Sequence, residues 1–181
     1  MRLFFIAFFN LCILGCASQT SVYQGEHLVM PFIEEIKGWQ LFQQEERGYR
    51  SNMWQKPGKR WVDTYAVSIY YGQSPDLNVK RAEMDAPGQR HCQKFESITL
   101  EHPKAIADEV LYWQTQCIQH DKVTAKVLHL MISGKESYYQ IQKVWKMDVE
   151  TEKFDTWRER FEQTFVCDMK DTSKSCPYNL N

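Results

Sequence analysis

Four cysteines and two histidines are the residues whose types and spacing could do chemistry in this chain. The cysteines of its second half could form disulfides or bind a metal ion: Cys92, Cys117, Cys167 and Cys176. The spacing Cys117-x-x-His120 is compatible with zinc binding, and His91 directly precedes Cys92. In a strand, however, His91 and Cys92 would point to opposite faces, which disfavours a shared metal ion. The sequence has no C-x-x-C motif, so a catalytic redox pair is disfavoured as well.

The remaining polar residues show no recognised catalytic motif. The sequence contains no G-x-S-x-G, H-E-x-x-H, G-x-G-x-x-G or P-loop pattern. His129 lies within an apolar run, and we predict a hydrogen-bonded sheet histidine there rather than a general base. The carboxylate pairs at 34–35 and 45–46 are typical of a solvated surface. We therefore predict no catalytic residue, no metal and no cofactor, and we keep an enzyme with a site assembled from scattered residues as an alternative.

The first sixteen residues, MRLFFIAFFNLCILGC, indicate an export signal. Arg2 precedes an apolar segment over residues 3–15, which fits a signal-peptide core, whereas a membrane-spanning helix needs about 20 residues. After Cys16 the chain turns polar at once. The run Ile13-Leu14-Gly15-Cys16 resembles the lipobox of bacterial lipoproteins, in which an aliphatic, a tolerant and a small residue precede the cysteine.

The resemblance to bacterial lipoproteins implies how the chain is processed and where it is sent. Residues 1–15 would be removed, and Cys16 would carry diacylglycerol and an amide-linked acyl chain such as palmitate. Two or more acyl chains attach a protein stably to a membrane. Ala17, instead of Asp, implies the periplasmic face of the outer membrane under the enteric sorting pattern. The alternative is an ordinary secretory signal in which Cys16 is incidental.

Beyond the lipidated cysteine, the sequence indicates a tether and one domain. We assign residues 16–28 to the lipidated cysteine and tether, whose residues 17–28 reach at most about 40 Å when extended. Residues 29–181 are assigned to a single α+β domain. The full chain has 22 Lys+Arg and 23 Asp+Glu, and this balance argues against a nucleic-acid-binding protein.

Export to an oxidising compartment favours disulfides over free thiols. Four cysteines allow three pairings. If the predicted strands 92–100 and 110–119 pair antiparallel, the first two cysteines fall opposite each other. The other two lie at the end of the last helix and in the C-terminal tail. We therefore predict two bridges: Cys92–Cys117 and Cys167–Cys176.

Hydrophobic periodicity predicts an α+β fold with a mostly antiparallel sheet of about five to six strands, covered by a C-terminal amphipathic helix. The predicted strands are 38–46, 61–71, 92–100, 110–119, 123–133 and 137–147. Short helices are predicted at about 75–84 and 103–109. The C-terminal helix, about 151–166, carries an apolar stripe formed by Phe154, Trp157, Phe161 and Phe165.

The stretch GYRSNMWQKPGKR stands out because it combines a tryptophan with basic residues and turn-forming residues. We interpret it as a loop whose tryptophan could contact an acidic partner, phospholipid headgroups or lipopolysaccharide, or could fold back on the core. The candidate interaction patch comprises Tyr49, Arg50, Met53, Trp54, Lys56, Lys59 and Arg60.

The function that follows is a non-enzymatic interaction or assembly module that binds other envelope proteins. It depends on the anchor, the tether and the lack of a catalytic motif. A binding protein for a small amphiphile is an alternative, and it predicts an apolar cavity bordered by Trp157 or Phe161.

Overall fold

The computed structural model describes residues 25–59, 61–103, 109–135, 137–171 and 176–177. The predicted signal peptide, the lipidation residue Cys16 and Arg60 of the predicted patch lie outside these residues. In the ranges that are described, no helix is long and apolar enough to cross a membrane.

Nine strands and two α-helices make up the described fold. The strands are β1 (Glu26–Val29), β2 (Gln40–Glu46), β3 (Tyr49–Gln55), β4 (Asp63–Tyr71), β5 (Lys94–Thr99), β6 (Glu109–Gln119), β7 (Lys122–Ser133), β8 (Ser137–Trp145) and β9 (Phe165–Asp168). The helices are α1 (Leu77–His91) and α2 (Thr151–Glu162), and a 3-10 turn spans Glu34–Ile36. Seven strands form one antiparallel sheet in the order β2-β3-β4-β8-β7-β6-β5, and β1 pairs with β9. The α+β class and the antiparallel sheet are confirmed.

The predicted count of five to six strands is wrong, because the main sheet has seven and a second sheet has two. Strand β3 lies in the stretch that we interpreted as a loop. Its Arg, Ser and Asn residues have low strand propensity, but pairing with β2 and β4 on both sides satisfies its backbone. Residues 26–28, assigned above to the tether, belong to β1, which is held by β9.

Helix α1 is longer than predicted and includes Pro87. Asp76 caps its N-terminus, because the Asp76 carboxylate accepts hydrogen bonds from the backbone N–H groups of Asn78 and Val79. Gly88 allows a close approach to β5, since a Cβ atom there would lie 2.3 Å from Cε2 of Phe95. These contacts offset the helix-breaking residues on which the shorter prediction relied. Most of the second predicted short helix, about 103–109, falls on residues that the structure does not describe.

The aromatic stripe of α2 packs against one face of the main sheet. Phe154, Trp157 and Phe161 are buried in a cluster with Tyr65 and Trp145. The ring of Trp157 lies 5.1 Å from that of Tyr65 and 6.3 Å from that of Trp145. The helix ends at Glu162, and Phe165, predicted to continue the stripe, lies in β9.

The two disulfides join the cysteines in the pairs predicted above, Cys92–Cys117 and Cys167–Cys176. The predicted strand register is wrong, because Cys117 lies opposite Phe95 and not opposite Cys92. Cys92 instead follows the last residue of α1, so the first bridge ties the end of this helix to β6. The thiols of Cys92 and Cys117 are thereby joined to each other and do not form the zinc site considered above.

Candidate functional site

An exposed apolar groove lies beside strand β3, on the sheet face that also packs against α2. The groove has a volume of about 390 Å³ and is lined by Met30, Pro31, Phe32, Ile33, Ile36, Lys37, Trp54 and Tyr65. The side chain of Phe32 is 81% exposed. Leu41, also exposed, lies opposite Trp54 in the β2–β3 pair and extends the same apolar surface. An exposed surface of this kind marks an interaction site more often than an isolated apolar residue does.

The segment that forms the groove is held to the core on both sides of Phe32. The Tyr65 hydroxyl contacts the Met30 sulfur at 3.4 Å, and Ile33 is buried in the core. Further along, the Glu35 carboxylate accepts a hydrogen bond of 2.8 Å from Trp157 Nε1. Because both flanks are fixed, the fold presents the Phe32 ring to solvent from a defined backbone.

A second cavity adjoins the apolar groove and has a mixed polar and apolar lining. Its volume is about 500 Å³, and its lining includes Met30, Arg50, Asn52 and Tyr139. Met30 lines both cavities. The two cavities together place a polar region next to an apolar one, which is the arrangement that an amphiphilic ligand would need.

The six described residues of the predicted patch do not form one surface. Side chains alternate along β3, so Tyr49 and Met53 lie on one face of the sheet and Arg50 and Trp54 on the other. Trp54 stacks on Tyr65 with ring centroids 5.4 Å apart and belongs to the apolar groove. Lys56 and Lys59 lie beyond the end of β3, in the turn that leads to β4.

The tryptophan of that turn is Trp61, which the sequence analysis took as the first residue of the predicted strand 61–71. It lies before β4 in the turn and is 56% exposed. Asp63 lies two residues further on, at the position where the alternation would require an apolar residue. This charged residue could have indicated that the strand begins after Trp61. Asp63 is buried, and its carboxylate pairs with the ammonium group of Lys143.

Lys143 and Asp63 form the centre of a buried ion-pair network beneath α2. Lys143 is 0% exposed, and the rings of Trp39, Trp145 and Trp157 lie within 4.5–4.9 Å of its Nζ. Burial lowers the pKa of Lys143 to about 8, while Asp63 opposes this shift. Lys153 of α2 reaches Asp63 at 3.3 Å and Glu35 at 3.1 Å, and so links the network to the groove segment.

His129 lies beside the hydroxyl of Thr115, and both of its ring nitrogens are hydrogen-bonded to side chains. The side-chain Nε2 of Gln140 donates to Oε1 of Gln142. Nε2 of the Gln142 side chain therefore donates to Nδ1 of His129. His129 Nε2 must then carry the proton and donate to Thr115 Oγ1, 3.0 Å away. Burial, with a contribution from Arg81, lowers the pKa of His129 to about 3. His129 is thus the hydrogen-bonded sheet histidine that we predicted.

The apolar cavity predicted for an amphiphile is not where we placed it. Trp157 and Phe161 are fully buried and fill the space between α2 and the sheet. A further cavity, of about 760 Å³, is lined by residues that include His102 and Arg158. His102 Nε2 lies 3.0 Å from the carbonyl oxygen of Phe161 and donates to it. Across the described ranges, no group of three or more His, Cys, Asp or Glu residues could hold a metal ion.

The solved structures that are similar to this chain include the following two. No family model and no curated protein match the chain. LpqN of Mycobacterium tuberculosis, described as involved in cell envelope biogenesis, is 16% identical, with a TM-score of 0.43 over 80% of this chain and 86% of its own. The cyanobacterial PsbP (CyanoP) of Synechocystis sp. PCC 6803 is 10% identical, with a TM-score of 0.43 over 83% and 94%. At such low identities and TM-scores, neither likeness carries an argument about function.

Proposed function

We propose that this chain is a lipid-anchored, non-enzymatic module on the periplasmic face of the bacterial outer membrane, and that it binds another envelope protein at the apolar groove. The observation that carries the proposal is the exposed ring of Phe32 on a segment fixed on both sides. Binding interfaces are built around such aromatic anchors, surrounded by apolar neighbours that exclude water.

The energetics favour a protein partner at the groove. The aromatic residues of α2 are buried in the core cluster with residues of the sheet, whereas Phe32 and Leu41 stay exposed. Burying a side chain of the size of Phe or Leu contributes about 1.5–3 kcal/mol. A partner that inserts apolar side chains into the groove would gain this contribution without rearranging the domain.

The anchor in this proposal comes from the lipobox-like run that ends at Cys16. Strand β1 begins at Glu26, and eight residues lie between Cys16 and Gly25, the first described residue, so nine Cα–Cα steps join the two. Extended, they reach at most about 30 Å. The domain would therefore stay close to the membrane that holds it. Intact-mass measurement of the protein from membranes tests this part: acyl mass on an N-terminal Cys16 supports it, and an unmodified cysteine contradicts it.

The interaction is tested by purifying the membrane-extracted protein in mild detergent and measuring its complexes by size-exclusion chromatography with mass spectrometry. We expect an envelope protein to co-elute at a fixed ratio with the wild type and to dissociate from the Phe32→Asp variant. Met169→Asp is the matched control, because Met169 is also exposed, at 68%, but lies outside the groove. A wild type that elutes alone, or an equal effect of both variants, would contradict the proposal.

A small amphiphile is the second candidate, and the shared Met30 wall of the two cavities favours it. Its apolar part would lie on Trp54 and its polar part near Arg50 and Asn52. Mass spectrometry of an organic extract of the purified protein separates the two candidates. One bound amphiphile per chain, lost in the Trp54→Ala variant, would support the amphiphile-binding function. An extract without amphiphile, together with a co-eluting protein, would support the protein-binding function.

A further inference from the structure

The described residues of the turn between β3 and β4 include two lysines and an exposed tryptophan. Trp61 is 56% exposed, and Lys59 is exposed beside it. Lys56 lies at the start of the turn. Strand β8 ends next to it, because the backbone N–H of Lys146 donates to the Val62 carbonyl at 2.7 Å. Three lysines and one large aromatic ring therefore lie at this end of the sheet.

The backbone holds the ring of Trp61 in a strained, outward position. Its φ is +58°, a left-handed conformation that is unfavourable for a bulky residue. The turn is fixed by hydrogen bonds from Lys59 N–H to the Lys56 carbonyl and from Val62 N–H to the Lys59 carbonyl, both 3.0 Å. Conformations of this kind persist only when their surroundings impose them, and they concentrate at functional sites.

The lysines of this turn are available to bind an anion. In the part of the chain that the structure describes, none of Lys56, Lys59 and Lys146 forms an ion pair, whereas lysines elsewhere, such as Lys80, do. The neighbouring carboxylate of Asp63 is buried and is already paired with Lys143. Unpaired ammonium groups at the same end of the sheet as an exposed ring attract a partner that carries carboxylates.

The turn lies at the opposite end of the sheet from the point where the chain enters the fold. Glu26 contacts Tyr139 near the start of β8, whereas Val62 contacts Lys146 just after its end. The nine residues of β8 span roughly 27 Å. A domain anchored through the residues that precede Gly25 would thus present the turn away from its own membrane.

We infer that this basic turn binds peptidoglycan, the acidic glycan polymer of the periplasm. The apolar face of a sugar ring packs on the exposed indole of Trp61, and the lysines bind the carboxylates of the peptide stems. The position of the turn favours this polymer over an anionic membrane. The inference rests on the envelope location in the proposed function, but it uses a different surface from the groove.

The test is sedimentation of the full-length protein, in non-ionic detergent, with purified sacculi. We expect the wild type to co-sediment, and Trp61→Asn and the double variant Lys56→Gln/Lys59→Gln to bind at least about tenfold more weakly. Asparagine tolerates the left-handed backbone, so it removes the ring without adding strain. Trp61→Phe keeps a ring and should retain binding. The double variant Lys94→Gln/Lys122→Gln removes two exposed lysines from elsewhere and should bind like the wild type.

Three results would overturn the inference. The first is a wild type that does not sediment with sacculi, and the second is equal binding by wild type and Trp61→Asn with unchanged circular dichroism. The third is binding to phosphatidylglycerol vesicles with the same dependence on Trp61, which would assign the turn to a membrane. Because Phe32→Asp leaves the turn intact, loss of the protein complex in that variant and loss of sacculus binding are separate outcomes.

Discussion

The sheet face beneath α2 and the groove beside it are built from the same residue types, but the aromatic side chains are buried in the first region and partly exposed in the second. Under the helix, Trp145 and Trp157 are 0% exposed, whereas Phe32 is 81% exposed on a segment that touches the same core. What differs is the set of neighbours, because the rings of α2 contact Tyr65, Tyr112 and Trp145 of the sheet, whereas Phe32 and Leu41 stay exposed. Whether an aromatic residue serves as core or as a binding surface therefore depends on tertiary coverage and not on composition.

The comparison predicts that loss of a covered ring destabilises the protein and loss of the exposed ring does not. Trp157→Ala should lower the free energy of unfolding by about 3–5 kcal/mol through the cavity it creates. It also leaves the Glu35 carboxylate without its 2.8 Å donor, which adds to the loss. Phe32→Ala should change stability by no more than about 0.5 kcal/mol. Urea unfolding measures both, and equal effects would show that the Phe32 ring belongs to the core.

The ion pair beneath α2 should be as important as the rings around it. Asp63→Asn leaves the ammonium group of Lys143 buried without its carboxylate, and we expect a loss of about 3–5 kcal/mol. The double variant Asp63→Asn/Lys143→Met removes the stranded charge and should recover most of this loss. If the double variant is as unstable as Asp63→Asn, packing and not charge is responsible.

On the opposite face of the sheet, we expect His129 to have a smaller effect on the free energy of unfolding, and this effect depends on pH. Its pKa is lowered to about 3 in the folded state, while a histidine in the unfolded chain binds a proton below about 6.5. The unfolded state therefore takes up the proton first, and the free energy of unfolding falls by about 1–2 kcal/mol between pH 6.5 and 5. His129→Gln should reduce this fall. The exposed His27→Gln variant is the control, and an unchanged pH dependence in both would contradict the assignment.

The sequence is sufficient to predict elements whose pattern is local. The stripe of α2 repeats every three to four residues with a polar outer face, so it could be found without knowledge of its partner. The pairing of cysteines could also be predicted, although the strand register could not. Strand β3 was missed because Arg50, Ser51 and Asn52 have no alternation that marks a strand, and its pairing comes from β2 and β4.

The groove could not be predicted, because it depends on distant contacts, and the sequence grouped the lysines of the basic turn with Trp54 and not with Trp61. The groove segment is fixed by a hydrogen bond between Glu35 and Trp157, which lie 122 residues apart. The sequence also left open whether Trp54 contacts a partner or folds back on the core, and in the structure it stacks on Tyr65 and lines the groove. Trp61 was assigned to a strand face, and only its left-handed backbone turns it outward.

Photo-crosslinking in living cells at position 32 tests most directly that the open groove is a docking surface. A benzoylphenylalanine at Phe32 should form an adduct with one envelope protein, and a second substitution on the adjoining apolar surface, Leu41→Ser, should abolish it. The same probe at Val79, which is 54% exposed on α1, should give no such adduct. An adduct at position 32 that persists with Leu41→Ser, or adducts of equal yield at both positions, would contradict the account.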